Sequence, residues 1–332
     1  MRILYAIQGT GNGHISRAMD VGPALEKHGE VDYLVSGAQV EISLSQIPKY
    51  RSPGVSFYFG KRGGINLSKT FMKNSTLRFY KEINDFPIDQ YDLVINDFEP
   101  ITAWAARKRG RRTVGLSHQG ALLSDKCPKP ESRDIVGKMI LKNYAPVSQN
   151  YGFHFDAFDT DIYTPVVRKC IRDVKPTNKG HYTVYLPAYS DEKIIKVLSQ
   201  IKGIQWQVFS KHSSKAYHID DISIVPIHND LFIESITSAQ GVLCGAGFET
   251  PAESLYLGKK LMVIPMEGQY EQHCNAAALR KLGIPVLKKL KLKKVNKIQD
   301  WVQSDMVLQM DYPDETEAIV TRIIEKEMGY ER

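Results

Sequence analysis

No stretch of this 332-residue chain holds the roughly 20 consecutive apolar residues that a helix needs to cross a bilayer. Its opening, Arg2-Ile3-Leu4-Tyr5-Ala6-Ile7, reads as a buried strand and not as a secretory signal. Cysteine is sparse. Cys127, Cys170, Cys244 and Cys274 lie far apart, form no Cys-x-x-Cys pair and have no histidines at zinc-ligand spacing. These absences exclude a disulfide scaffold and a zinc module, and the expected setting is the cytoplasm with reduced thiols. Low-complexity segments and repeats of 20 to 50 residues are also missing, which excludes a disordered chain and a solenoid. What remains is ample core material: 42% hydrophobic residues beside 24% charged ones, in a chain long enough for two domains at roughly 100 to 200 residues each.

Acidic residues run short in one half only. Residues 1–150 carry 21 Lys and Arg against 14 Asp and Glu, whereas residues 151–332 are balanced at 23 of each. The net charge of +7 therefore belongs to the first half, where it favours an anionic partner or an acidic membrane surface. No DNA- or RNA-binding motif accompanies it, so nucleic acid is not an expected partner.

Apolar runs alternate with helical periodicity along both halves, as in mostly parallel sheets covered on both faces. In the first half this predicts strands at 2–7, 31–36, 55–59, 92–96 and 113–117, with helices near 14–28, 75–85 and 100–109. The alternation breaks at an aromatic stretch, Tyr151 to Phe158, and at Pro176-Thr177-Asn178-Lys179-Gly180. It restarts with strands at 182–186, 205–209, 222–227, 241–244 and 261–264. The intervening helices fall near 190–200, 230–238, 248–257 and 270–282. Two doubly wound α/β domains are the simplest account: 1–150, a connection over 151–180, then 181–312. A final helix over 313–332 is expected to pack back across the junction towards the first domain.

The first βα turn, Gln8-Gly9-Thr10-Gly11-Asn12-Gly13-His14, lets backbone N–H groups approach an anion at a helix start through Gly9, Gly11 and Gly13. A dinucleotide turn needs Gly-x-Gly-x-x-Gly and an acidic residue about 20 positions on, at the end of the next strand. Here His14 takes the last glycine's place and the second strand ends in Ser36-Gly37, so a nicotinamide enzyme is disfavoured. The turn instead sets an imidazole at the carboxyl edge of the sheet, which makes His14 a candidate general base. Two later strands end at the same edge in Asn96-Asp97-Phe98-Glu99-Pro100 and Ser117-His118-Gln119. Asp97 is the candidate orienting carboxylate, or else the cap of the helix at Pro100, and His118 is a second candidate base.

A longer constellation lies in the second half: Cys244-Gly245-Ala246-Gly247-Phe248-Glu249-Thr250-Pro251-Ala252-Glu253, then Gln269-Tyr270-Glu271-Gln272-His273-Cys274-Asn275. Gly-Ala-Gly before a helix makes another anion cradle, while Thr250-x-x-Glu253 also has the form of a capping box with proline between.

Residues 244–276 resemble the donor-binding signature of the two-domain GT-B glycosyltransferases. The likeness is especially to the branch of the lipid-linked N-acetylglucosaminyl transferase of peptidoglycan synthesis and the UDP-glucuronosyltransferase-like enzymes. The opening glycine loop is similar to that branch's Gly-x-Gly-Gly-His with one residue changed. The resemblance implies two Rossmann-like domains facing a central cleft. It puts a nucleotide diphosphate against Gly245, Ala246, Gly247 and Thr250, ribose hydroxyls on Glu253, sugar hydroxyls on Glu271 and Gln272, and the base near Phe209 or Ile227. Relatives often carry a Gly-Gly-Ser turn where this chain has Leu186-Pro187-Ala188-Tyr189-Ser190. The expected reaction is inverting transfer from a UDP-sugar, a co-substrate and not a bound cofactor, to an acceptor hydroxyl. Asp159-Thr160-Asp161 lies in the connection, so no metal is expected. The acceptor is expected to be anionic or lipid-linked, with the protein peripheral at the inner face of the cell envelope's membrane. The alternatives are a nucleotide-sugar epimerase or hydrolase of the same fold, or a nucleotide-sugar-binding protein without turnover.

Overall fold

The computed structural model describes residues 1–10, 12–39, 44, 46–54, 76–131 and 134–329. They build two lobes, each on its own sheet. The first sheet contains β1 (Arg2–Thr10), β2 (Glu30–Gln39), β3 (Tyr50–Ser52), β4 (Leu93–Asp97), β5 (Val114–Ser117), β6 (Gln149–Phe153) and β7 (Ile162–Tyr163). Their order is β3-β2-β1-β4-β5-β6-β7, with every pairing parallel. Its helices are α1 (Asn12–Glu26), α2 (Thr76–Asp85), α3 (Pro100–Lys108), α4 (His118–Ala121) and α5 (Ile135–Asn143).

A short helix, α6 (Lys169–Arg172), leads to the second sheet, which contains β8 (Tyr182–Tyr185), β9 (Trp206–Ser210), β10 (Tyr217–Ile219), β11 (Ile222–Pro226), β12 (Gly241–Gly245) and β13 (Lys260–Ile264). The order is β10-β11-β9-β8-β12-β13, and only the edge strand β10 pairs antiparallel. Helices α7 (Asp191–Leu198), α8 (Asn229–Ser238), α9 (Glu249–Tyr256), α10 (Tyr270–Lys281) and α11 (Val295–Gln303) flank it, and α12 (Thr316–Met328) follows.

Residues Ile3 to Ile7 of β1 have no exposed surface, the mark of a strand covered on both faces, and this is why their run is continuously apolar. Chain order reverses on the two sides of β1 and of β8. In an open α/β sheet such switch points leave a crevice beyond the carboxyl ends of the strands, between β1 and β4 and between β8 and β12.

The start of the aromatic stretch read as a connection, Tyr151 to Phe153, is instead part of the first sheet. Tyr151 and Phe153 are buried on β6, and β7 continues the sheet to Tyr163. The first lobe therefore extends past residue 150, and the chain leaves it only after 163. Helix α1 begins at Asn12, two residues before the expected start. Strand β10 and helices α5 and α11 were not expected, and the strand expected at 55–59 lies outside the described residues.

Helix α12 packs against the first lobe. Ile319, Ile323 and Ile324 join the core that contains Ile3, Ile15 and Leu25, His28 Nε2 lies 3.0 Å from Thr321 Oγ1, and Tyr151 donates to Glu327 at 2.7 Å. No helix among the described residues is long and apolar enough to cross a membrane.

Candidate functional site

The parallel register sets Ile7 of β1 opposite Asp97 of β4, so the loop that opens α1 and the end of β4 meet at one edge. Beyond Asp97 the backbone turns through Phe98 at φ 56°, a left-handed conformation that a bulky residue rarely adopts. That turn separates two acids with different work. Glu99 caps α3, accepting from the N–H groups of Ile101 at 2.8 Å and Thr102 at 2.7 Å. Asp97 is left to face α1, so its alternative reading as the helix cap does not hold.

His14 Nδ1 lies 2.8 Å from Asp97 Oδ1. A carboxylate oxygen only accepts, so Nδ1 carries the proton and Nε2 keeps its lone pair, which faces the Gln119 amide at 3.4 Å. One helical turn on, Arg17 donates from Nη2 to both Asp97 oxygens at 2.8 and 2.9 Å, and from Nε at 3.2 Å. Burial disfavours the Asp97 charge, but Arg17 and His14 outweigh it and hold its carboxyl below the usual carboxylate range. Burial likewise opposes the Arg17 charge, and Asp97 with Glu249 overcomes it, which keeps the guanidinium protonated.

Glu249 comes from the other lobe. Its Oε1 accepts from Arg17 Nη1 at 2.8 Å, and its carboxylate lies so close over Gly13 that a Cβ there would collide with it.

A cavity of about 440 Å³ opens beside this contact, with Asn12, Gly13 and Ser16 on one wall and Phe209, Ile227, Gly247, Phe248, Glu249, Thr250 and Glu253 on the other. Helix α9 faces it without a side-chain cap. Phe248 is already helical, so the helix starts at Glu249 and Thr250 falls inside the first turn. The capping box suggested by Thr250 and Glu253 therefore does not form, and the first N–H groups of α9 remain for another acceptor. Glu253 is also committed. Arg168, reaching from the connection, donates to its two oxygens at 2.5 and 2.9 Å and to Asn229 Oδ1 at 3.1 Å.

The remaining candidates fall into three places. Glu271 accepts from Gln119 at 2.9 Å, and Gln119 Nε2 lies 3.4 Å from His14 Nε2, so Glu271 reaches the His14 neighbourhood through a neighbour. Gln272 accepts from the Met266 N–H at 2.9 Å and flanks Gly245, whose neighbour Ala246 is buried. Gly9 lies within β1 against Gly37 of β2, and Gly11 is outside the described residues. The Asp159-Thr160-Asp161 carboxylates are taken by lysines, Lys126 at 2.7 Å and Lys326 at 3.1 Å.

His118 does not reach the cavity. It is 1% exposed, stacks on Phe248 at 4.0 Å, and its ring nitrogens lie 2.8 Å from the Phe153 carbonyl and 2.6 Å from Asn275 Oδ1. As a candidate base it is corrected to a pin between the lobes, because neither nitrogen is free for an acceptor.

A glycosyl transferase family 1 model matches residues 1–304. The chain belongs to that family. A glycosyltransferase from Methanosarcina mazei, itself uncharacterized, is 24% identical over 323 residues, covering 85% of this chain and 84% of the relative. Among solved structures, Arabidopsis thaliana UGT89C1 complexed with UDP matches with a TM-score of 0.58 at 12% identity, covering 98% of this chain and 94% of that one. Acinetobacter baumannii MurG matches with 0.52 at 12% identity, covering 97% and 94%. The fold is GT-B, and this glycosyltransferase carries it on two parallel-dominated sheets.

Three residues of the glycosyltransferase's cleft escaped the sequence reading. Arg17 had a signal, since His14-Ile15-Ser16-Arg17 puts a cation one turn from the candidate base, next to Ile15 and Ala18 on a face that must be buried. Glu249 had a weaker one, an acid in the first turn of an expected anion-binding helix. Arg168 had none, because nothing local tells that the connection folds onto Glu253.

The buried pin gives the glycosyltransferase a pH dependence. Burial pulls His118 down to about 4, against the hydrogen bonds to Phe153 and Asn275 that favour its charged form. Between that value and the unfolded value near 6.5, the unfolded chain binds a proton that the native state refuses. The stabilisation is full above about pH 6.5 and disappears as the pH falls towards 4, on the order of 2–3 kcal/mol. Denaturation at pH 7.5 and 4.5 should show that loss, and His118→Asn should remove part of it; an unchanged slope would assign the acid sensitivity elsewhere.

Proposed function

We propose that this glycosyltransferase moves a sugar from a UDP-sugar to an acceptor hydroxyl, with inversion at the anomeric carbon and without a metal. The observation that carries the reading is the pairing of His14 with Asp97 beside a cavity whose far wall is the uncapped start of α9.

In this reading the nucleotide occupies the second-lobe wall, its base against Phe209 and Ile227 and its diphosphate against Gly247 and the first N–H groups of α9. Ribose hydroxyls donate to lone pairs of Glu253 that Arg168 does not use. The acceptor enters from the first lobe, and its hydroxyl gives its proton to His14 Nε2 as the oxygen bonds to the anomeric carbon. The bond from that carbon to the β-phosphate oxygen breaks, and UDP leaves with the electron pair. Asp97 holds the ring and stabilises the imidazolium. Charge on the departing UDP meets the N–H groups of α9, which do the work a cation does elsewhere. The structures of UGT89C1 and LpCGTa in complex with UDP support the choice of nucleotide.

The test is incubation with UDP-, GDP- and dTDP-sugars, with and without an acceptor panel, in EDTA. UDP release that requires an acceptor and survives EDTA is the expected result. Release without acceptor would favour hydrolysis or epimerisation, activity restored only by magnesium or manganese would overturn the metal-free reading, and binding without any product would favour a non-catalytic protein.

The acceptor is proposed to be anionic or lipid-linked and presented at an acidic membrane surface. Residues 1–150 hold the excess positive charge, and α5 exposes Ile135, Val136 and Met139 beside Lys138 and Lys142. Binding to liposomes containing anionic lipid should exceed binding to neutral ones and weaken as salt is raised. Indifference to lipid charge would refute this surface.

A further inference from the structure

The His14–Asp97 pair does not stand alone in the first lobe. Arg17 is almost fully buried, and its guanidinium is divided between Asp97 of its own lobe and Glu249 of the other. Arranged in chain, Glu249 Oε1 accepts from Arg17 Nη1, Arg17 Nη2 and Nε hold both Asp97 oxygens, and Asp97 Oδ1 accepts from His14 Nδ1. The three contacts to Asp97 fix its carboxylate plane, and that plane fixes the imidazole. Arg17 Nη2 also lies 3.2 Å from His14 Nδ1, so a guanidinium that drifted would crowd the ring it now helps to aim. Glu249 is the one member carried by the second lobe, at the first turn of the helix that faces the cavity.

We propose that Glu249 is a positioning residue that ties the aim of the base to the approach of the two lobes. It acts through Arg17 and Asp97 on the orientation and tautomer of His14. The inference rests on the reading of His14 as base only for its consequence in turnover; the chain itself is a matter of geometry. An acid in the first turn suits the positive end of the helix, but beside a bound diphosphate its charge would oppose the anion. Its carboxylate reaches across the cavity's edge to Gly13 and Arg17. The charged groups around the ring come from each element packed on it: Arg17 on α1, Asp97 on β4, Glu249 on α9, and Glu271 on α10 behind the neutral Gln119.

The test uses the full chain labelled with ¹⁵N-histidine, the His14 ring signals being identified by their loss in His14→Ala. The wild type should show the Nδ1–H tautomer. Glu249→Ala should convert it to an averaged pattern, as Arg17→Ala does, with Glu249→Gln intermediate because its amide oxygen still accepts from Arg17. Turnover in Glu249→Ala should fall on the order of 10- to 100-fold, the scale of a misaimed group, while UDP affinity is no weaker than in the wild type. The double variant Arg17→Ala/Glu249→Ala should be no slower than Arg17→Ala, since links in series are lost only once. An unchanged His14 ring pattern in Glu249→Ala overturns the proposal whatever turnover does, as does a loss of UDP affinity matching the loss of rate. Retained turnover in His14→Ala instead removes the catalytic reading and leaves the tautomer result to decide the chain.

Discussion

His14→Ala is expected to lower turnover by about 10² to 10⁴ while leaving UDP affinity within twofold of the wild type, the range for removing a general base. The asymmetry follows from the division of labour across the cleft. His14 sits on α1 with its Nε2 lone pair met only by the long contact to the Gln119 amide, whereas Phe209, Ile227, Gly247 and Thr250, the proposed nucleotide contacts, belong to the other lobe. Titration calorimetry with UDP and single-turnover rates with a saturating UDP-sugar separate the two quantities. His14→Gln should be equally slow, because an amide fills the space and accepts no proton. Near-normal turnover would remove the base from this pair altogether, since both Asp97 oxygens are held by Arg17 and His14 and His118 has no free nitrogen. Loss of UDP binding in step with turnover would mean that donor and acceptor do not occupy opposite walls.

Glu253→Ala should be the most destabilising single change at the site, about 3–5 kcal/mol, because it strands a buried guanidinium. Arg168 is 9% exposed and gives two of its hydrogen bonds to this carboxylate, leaving only Asn229 when it is gone. The double variant Arg168→Met/Glu253→Met should recover most of the loss, since replacing a buried pair by apolar side chains of similar volume is often neutral. Urea denaturation of the two variants checks this, and a loss below about 1 kcal/mol in Glu253→Ala would show that water reaches Arg168 freely. UDP affinity, measured well below the melting temperature, should also fall by about 1–3 kcal/mol if ribose hydroxyls share this carboxylate. A double variant that regains stability without regaining UDP binding would separate the structural role from the ligand's.

The parts of the fold that were legible in the sequence are those where one periodicity dominates. Ile3 to Ile7 of β1 form a continuous apolar run because both faces are covered, and the strand ends at Asp97 and Gly245 could be placed at the sheets' carboxyl edges from the alternation alone. Failures came where tertiary context chose between local options. Tyr151 to Phe158 read as a linker because it follows a broken pattern; burial against the core and α12 draws its first residues, Tyr151 to Phe153, into the sheet. Thr250 and Glu253 have capping-box spacing, but the αR conformation of Phe248 starts the helix early, and Arg168 has already claimed the glutamate. His14 and Asp97 are 83 positions apart and were joined by reasoning about strand ends. The Arg17–Glu249 link, 232 positions long, depends on how two lobes meet, and no local pattern encodes that.

The return of α12 to the first lobe means that the polypeptide crosses between lobes twice, once after β7 and once before α12. The crossings are stitched to each other and to the first lobe. Arg172 donates to the Tyr312 carbonyl at 2.7 Å, and the Tyr312 hydroxyl donates to the Phe155 carbonyl at 3.0 Å. A body held at a single pivot can swing and twist in every direction, whereas one held at two adjacent pivots behaves like a door on its hinges, free about one axis and stiff about the others. Two such crossings are expected to let the cleft open about one axis while resisting a slide of one lobe past the other. Each closure then brings Glu249 back to the same guanidinium.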